Sequence, residues 1–258
     1  MRPSPEACRQ NERSDKALQG LAEPGVCSVR VMAPCTTANL GPGFDVFGLA
    51  LEAFHDTIQI QPSPERGVEL EITGLDSGKV PRDPALNSAG LAAKHLLAQL
   101  DSDTGIRVRI EKGVPVGKGL GSSAASAAAT VVGLKHMLAL ELTENEIVEI
   151  AAQGEVASAG TPHADNVAAA VLGGFTLVQS YSPFSVLGFT PPPRLEVALA
   201  IPEVPVPPNK TGMARALLPS AVPLGKIAQN VGGAASIVAG VLSGDVGLIG
   251  RGMVDAIV

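Results

Sequence analysis

The stretch that most constrains this chain is KGVPVGKGLGSSAASAAAT, Lys112–Thr130. Three glycines at alternate positions (Gly117, Gly119, Gly121) run into two serines, and a run of alanines starts at once. Glycine permits backbone conformations and a closeness of approach that a Cβ would block. Just upstream, Gly105–Glu111 alternates Ile106, Val108 and Ile110 with Arg107 and Arg109, the period of a half-buried strand with its arginines in solvent. A strand, a glycine loop, two hydroxyls and a helix over 124–134 together make an anion site. Unpaired N–H groups and the positive end of the helix dipole face whatever the loop holds. Lys118 adds a cation, so the stretch reads as a cradle for nucleotide phosphates. It is not a Walker A loop, because Gly119 rather than Ser or Thr follows Lys118, and its GxGxG spacing is not GxGxxG. On the glycines alone, a turn before a buried helix fits equally well.

Composition narrows the rest. The chain has 258 residues, 45% of them hydrophobic, with no Trp and one Tyr, so its core must rest on Ala, Val, Leu and Ile. The net charge of −6 argues against a nucleic-acid binder. Cys8, Cys27 and Cys35 form neither a metal-ligand spacing nor an even disulfide set, which fits reduced thiols in a cytoplasmic protein. The N-terminus lacks the apolar core of a secretory signal. No apolar stretch reaches the roughly 18–20 residues of a membrane span. Residues 1–26 are polar and aperiodic and read as a mobile tail.

Further polar groups mark out a second set of candidates. In APCTTANLGPGFDVFGLAL (Ala33–Leu51), Gly41-Pro42-Gly43 forces a turn that brings Asn39 and Asp45 together. Asn87 precedes a helix with Leu91, Leu96, Leu97 and Leu100 on one side, where it suits an N-cap. Thr143-Glu144-Asn145-Glu146 is a capping box, and Glu155 falls near the end of the amphipathic helix it opens. His163, Asp165 and Asn166 lie within TPHADNVAAAVLGG (Thr161–Gly174), a polar cluster between small apolar runs, or an N-cap for a helix at 167–171. NKTGMARALLP (Asn209–Pro219) carries Lys210, Thr211 and Arg215.

The loop PVGKGLGSSAA (Pro115–Ala125) resembles the phosphate loop of the GHMP kinases. With the three other stretches, which fall in the same order, the chain is most similar to the homoserine kinases among them, over about residues 28–258. The resemblance implies a two-domain α+β fold, with a ribosomal-S5-like N-terminal domain and a ferredoxin-like C-terminal domain. The expected divisions are 27–185 and 186–258, with the boundary in the proline-bearing stretch 180–193. It implies ATP and Mg²⁺ as cofactors and L-homoserine as the small-molecule substrate, phosphorylated on its side-chain hydroxyl. ATP would lie on Asn87 and on Pro115, Val116, Gly117, Lys118, Gly119, Leu120, Gly121, Ser122, Ser123, Ala124 and Ala125. Ser123 and Glu155 would hold the metal. Asn39, Asp45, His163, Thr211 and Arg215 would bind the amino acid, with Asp45 on its ammonium group and Arg215 on its carboxylate. Asp165 is the candidate general base; in the alternative, no base is needed and Asn166 holds the hydroxyl. The family also suggests a homodimer.

Leu195–Ile201 reads as a strand opening the second domain, followed by helices at 227–241 and 246–257. The sequence then stops before the further substrate-binding Arg, second glycine-rich motif and closing strands expected of a complete family member. A C-terminally incomplete kinase is therefore expected. The rivals are another GHMP kinase of mevalonate type and a nucleotide- or metabolite-binding fragment without turnover.

Overall fold

The computed structural model describes residues 28–204 and 210–258; the N-terminal tail, Cys27 and Asn209 lie outside the described residues. Among the described residues six strands form one sheet: β1 (Val29–Asn39), β2 (Gly43–Pro62), β3 (Val68–Gly74), β4 (Ile106–Lys112), β5 (Phe175–Tyr181) and β6 (Phe184–Phe189). Their order is β3-β4-β2-β5-β6, with β1 paired to β2. Neighbours are antiparallel except β3 and β4. That parallel pair needs a crossover, which helix α1 (Ser88–Gln99) supplies.

Strand period decides which face is covered. Ile106, Val108 and Ile110 of β4 and Ile58 and Ile60 of β2 are fully buried. The intervening Arg107 and Arg109 pair with Glu69 and Glu71 of β3 on the open face. Over the buried face lie α2 (Ser122–Met137) and α5 (Asp165–Leu172), backed by α1 and α3 (Glu144–Gly154). Helix α2 is buried almost all round, Ala124 to Leu134. Its alanines let it lie close to the sheet while leaving no polar face to solvate. The capping box at Thr143 and Glu146 forms as expected. So does the Asn87 cap, whose Oδ1 accepts from the N–H groups of Ala89 (2.9 Å) and Gly90 (3.2 Å).

The proline-bearing stretch 180–193 contains strand β6, and its prolines flank the strand rather than interrupt it. One reading of the later chain is corrected. Leu195–Ile201 forms no strand. A strand exists only with a ladder partner, and this segment pairs with no described strand; Val197, Leu199 and Ile201 are exposed. A short helix α4 (Val156–Ala159) follows α3, and past β6 the described elements are helices only: α6 (Lys210–Ala216), α7 (Leu224–Ser243) and α8 (Val246–Gly252). The α7–α8 pair supports the turn after β1. Met253 packs so closely on Gly41 that a Cβ there would meet its backbone, and Asn230 bonds Asp255 (2.9 Å).

Candidate active site

The glycine loop emerges from β4 and ends on α2. Gly117, Gly119 and Gly121 all have positive φ, from 63° to 77°. Gly121 is the N-cap, and no described side chain caps the helix, so the N–H groups of its first turn face outward. A Cβ on Gly121 would strike the Thr36 hydroxyl and crowd Asn166 Oδ1. Lys118 Nζ donates to the carbonyls of Pro202 (2.7 Å) and Val204 (3.2 Å). Ser123, in the first turn, donates its hydroxyl to Glu155 Oε2 at 2.9 Å, and Glu155 is buried. A hydroxyl and a carboxylate are hard oxygen donors of the kind Mg²⁺ takes when phosphates and water complete its shell.

The loop reaches the polar cluster through β1. Thr36 N donates to Leu120 O (3.0 Å), and the Thr36 hydroxyl donates to Asn166 Oδ1 (2.8 Å). Asp165 and Asn166 are the first residues of α5, which starts two residues before the expected helix and has Ala164, with no capping side chain, at its N-cap. Asp165 Oδ1 accepts from the Asn166 N–H (2.7 Å). Burial pushes the Asp165 carboxyl above its usual range, the charge of Asp45 adds to the rise, and the Asn166 bond and His163 oppose it.

Beyond Asp165 lies the charged end of the site. Arg215 Nη2 donates to both oxygens of Asp45, at 2.6 and 2.7 Å, and to His163 Nδ1 at 3.2 Å. His163 Nε2 lies 2.9 Å from Thr161 Oγ1. The guanidinium lies over the Phe44 ring, 5.3 Å from its centroid. Its buried Nε has no hydrogen-bond partner among the described residues. The turn that carries Asp45 is strained: Asn39, Leu40 and Asp45 are three of the six described non-glycine residues with positive φ. Asn39 Oδ1 holds it by accepting from Asp45 N (2.9 Å).

The sequence candidates therefore fall into two linked groups, bonds running from the loop through Thr36 and Asn166 to Asp165 and from Arg215 to Asp45 and His163, with the charge of Asp45 felt at Asp165. The Asn87 side chain is occupied with its helix cap and with Pro81 O (2.8 Å). The side chain of Thr211 lies outside the described residues. Thr36 and Phe44 were missed. Both sit inside the motif that carries Asn39 and Asp45, and the signal for Thr36 was a hydroxyl on a buried strand face.

The family model for the GHMP kinases N terminal domain matches residues 87–174. Homoserine kinase of Methanococcus vannielii is 40% identical over 231 residues, covering 89% of this chain and 75% of that protein. The Thermoplasma acidophilum homoserine kinase is 44% identical over 230 residues, 89% and 72% of the two chains. The chain belongs to the homoserine kinase family. The crystal structure of homoserine kinase from Cytophaga hutchinsonii superposes with a TM-score of 0.77 at 34% identity, covering 92% of this chain and 74% of that one. The fold is accordingly the GHMP kinase fold, and the chain is shorter than these homoserine kinases, spanning about three quarters of their length.

Proposed function

We propose that this chain transfers the γ-phosphoryl group of ATP to the side-chain hydroxyl of L-homoserine, giving O-phospho-L-homoserine and ADP. The observation that carries the reading is the convergence of Asp45, His163 and Arg215 beside Asp165, one residue from the Asn166 that touches the phosphate loop through Thr36. An acidic and a guanidinium side chain at one place match the ammonium and carboxylate of an amino acid, and Arg suits the carboxylate by its bidentate geometry. Among the described residues the Arg215 Nε has no hydrogen-bond partner, so it is a donor left for such a carboxylate.

In this reading the N–H groups of Gly117–Ser123 grip the phosphates, and Lys118 exchanges the carbonyls of Pro202 and Val204 for phosphate oxygen. Ser123 and Glu155 hold Mg²⁺, which when bound neutralises charge on the β- and γ-phosphates. Asp45 takes the substrate ammonium group and Arg215 its carboxylate, with His163 beside them. The homoserine oxygen bonds to the γ-phosphorus as the bond to the β-phosphate oxygen breaks, and the hydroxyl proton passes to Asp165. A carboxylate whose pKa is raised is a better base near neutral pH than an ordinary one. Asn166 Nδ2, 3.4 Å from Asp165 Oδ1, steadies it. Asn87 remains a candidate for the nucleoside end. No described helix is long and apolar enough to cross a membrane; a cytoplasmic location fits the proposed reaction.

A coupled ADP-release assay with homoserine, mevalonate and galactose tests this. Release with homoserine alone is expected. Release with mevalonate or galactose instead would assign another kinase of the fold, and none with any would leave a binding protein.

A further inference from the structure

Beneath the phosphate loop lies a charge pair for which the proposed reaction has no use. Lys112 ends β4 and Asp56 lies in β2, each on the parity of its strand's buried isoleucines. The register that pairs Ile58 with Ile110 and Thr57 with Glu111 sets Asp56 opposite Lys112 at the next step. The Lys112 side chain is 3% exposed and that of Asp56 0%, and Lys112 Nζ donates to Asp56 Oδ2. Burial pulls the Lys112 ammonium pKa down against the attraction of Asp56. Such a pair is commonly no more stabilising than apolar side chains of similar volume, so the fold alone gives little reason for it.

Its remaining bonds say what it holds. Asp56 Oδ1 accepts from Gly113 N and Val114 N, both at 3.0 Å, where the chain enters the loop. Lys112 Nζ donates to Ser122 O (2.8 Å) and Ser126 Oγ (2.9 Å), where the chain leaves it. The Ser126 hydroxyl returns to Asp56 Oδ2 (2.7 Å), and the Ser122 hydroxyl crosses the mouth to Val114 O (3.0 Å). Both ends of the loop are thus tied to one buried ion pair and to each other.

We propose that Asp56, Lys112 and Ser126 are positioning residues for the triphosphate, fixing the mouth of the glycine loop so that its amides converge before nucleotide arrives. The inference rests on the reading of that loop as a phosphate cradle. Donors fixed in advance need no reorganisation on binding, so losing the clamp weakens nucleotide affinity without unfolding the chain.

The Asp56→Asn/Lys112→Met double variant removes both charges and strands neither. It is compared with the wild type by calorimetric titration with Mg·ATP, thermal melting, and amide hydrogen exchange over 113–126. A near-unchanged melting temperature is expected, with a dissociation constant raised about tenfold or more, the usual cost of losing a supporting shell. Faster exchange should be confined to 113–126. If the double variant does not fold, Ser126→Ala carries the same test with a loss of about threefold, since it deletes hydrogen bonds but no charge. A folded variant that binds Mg·ATP like the wild type overturns the proposal. A wild type that does not bind Mg·ATP overturns the phosphate reading itself, and that result needs no variant.

Discussion

The two ends of the site are built by different means. At the proposed phosphate end, the groups offered are backbone amides, and the side chains beneath them are buried and mutually hydrogen-bonded around Asp56 and Lys112. At the proposed amino-acid end, the groups offered are side-chain charges about one-third exposed, and they are paired with each other: Arg215 already sits on Asp45. The first end is preset, whereas the second must exchange one internal ion pair for two external ones. In the proposed reaction the contrast would give a specificity that shape alone would not. A ligand lacking either charge would break the pair and strand one member of it, and an unpaired charge in a partly desolvated site is costly. A zwitterion satisfies both.

The largest expected effect comes from breaking the preset end. Gly121→Val puts a branched side chain where the backbone has φ 63° and the Thr36 hydroxyl stands in the way. Mg·ATP-dependent turnover should fall by more than about 10³-fold, beyond the loss of a single preorganised donor; steady-state kinetics reads it. Next is Asp165→Asn, which keeps the shape and removes the base. Here kcat should fall about 10²- to 10⁴-fold with the KM for Mg·ATP unchanged, and a fall under tenfold would favour transfer without a base. Arg215→Ala should then raise the KM for homoserine about 10- to 100-fold, the worth of a charged hydrogen bond of about 1.5–3 kcal/mol, and leave the KM for Mg·ATP alone. Equal shifts in both constants would erase the distinction between the two ends.

The smallest effect is on stability against pH. The Asp165 carboxyl is raised by burial, so the folded chain holds its proton to higher pH than the unfolded chain does. Stability from that group is present at low pH and lost as pH rises from the unfolded carboxyl value of about 3.9 through the folded one. Asp165→Asn should therefore melt higher than the wild type at neutral pH, with the gap closing in acid. Melting curves at several pH values check it.

Much of this was legible in the chain itself, at the places where local chemistry decides structure. The glycine loop, the capping box, the turn at Gly41-Pro42-Gly43 and the Asn87 cap are all local devices. What was missed depends on pairing that a segment's own pattern does not show. Strand β6 was hidden because its flanking prolines suggest a linker, and only its pairing with β5 makes it a strand. Leu195–Ile201 carried a strand pattern that no described neighbour completes. Asp56 and Lys112 were within reach: a charged residue on the parity of Ile58 and Ile60, and another on that of Ile106, Val108 and Ile110, are buried charges by period alone. Their pairing needed the register. That Arg215 would rest on Asp45 could not be read, since 170 residues separate them.

Phosphorus NMR of the purified chain with Mg·ATP and L-homoserine puts the joining of the two ends to the most direct test. A new phosphomonoester resonance should grow as the ATP signals convert to those of ADP, and it should be absent with 4-hydroxybutanoate or 3-aminopropanol, which each lack one charge of the zwitterion. ADP and inorganic phosphate without a phosphomonoester, or equal phosphorylation of the singly charged alcohols, would contradict the account.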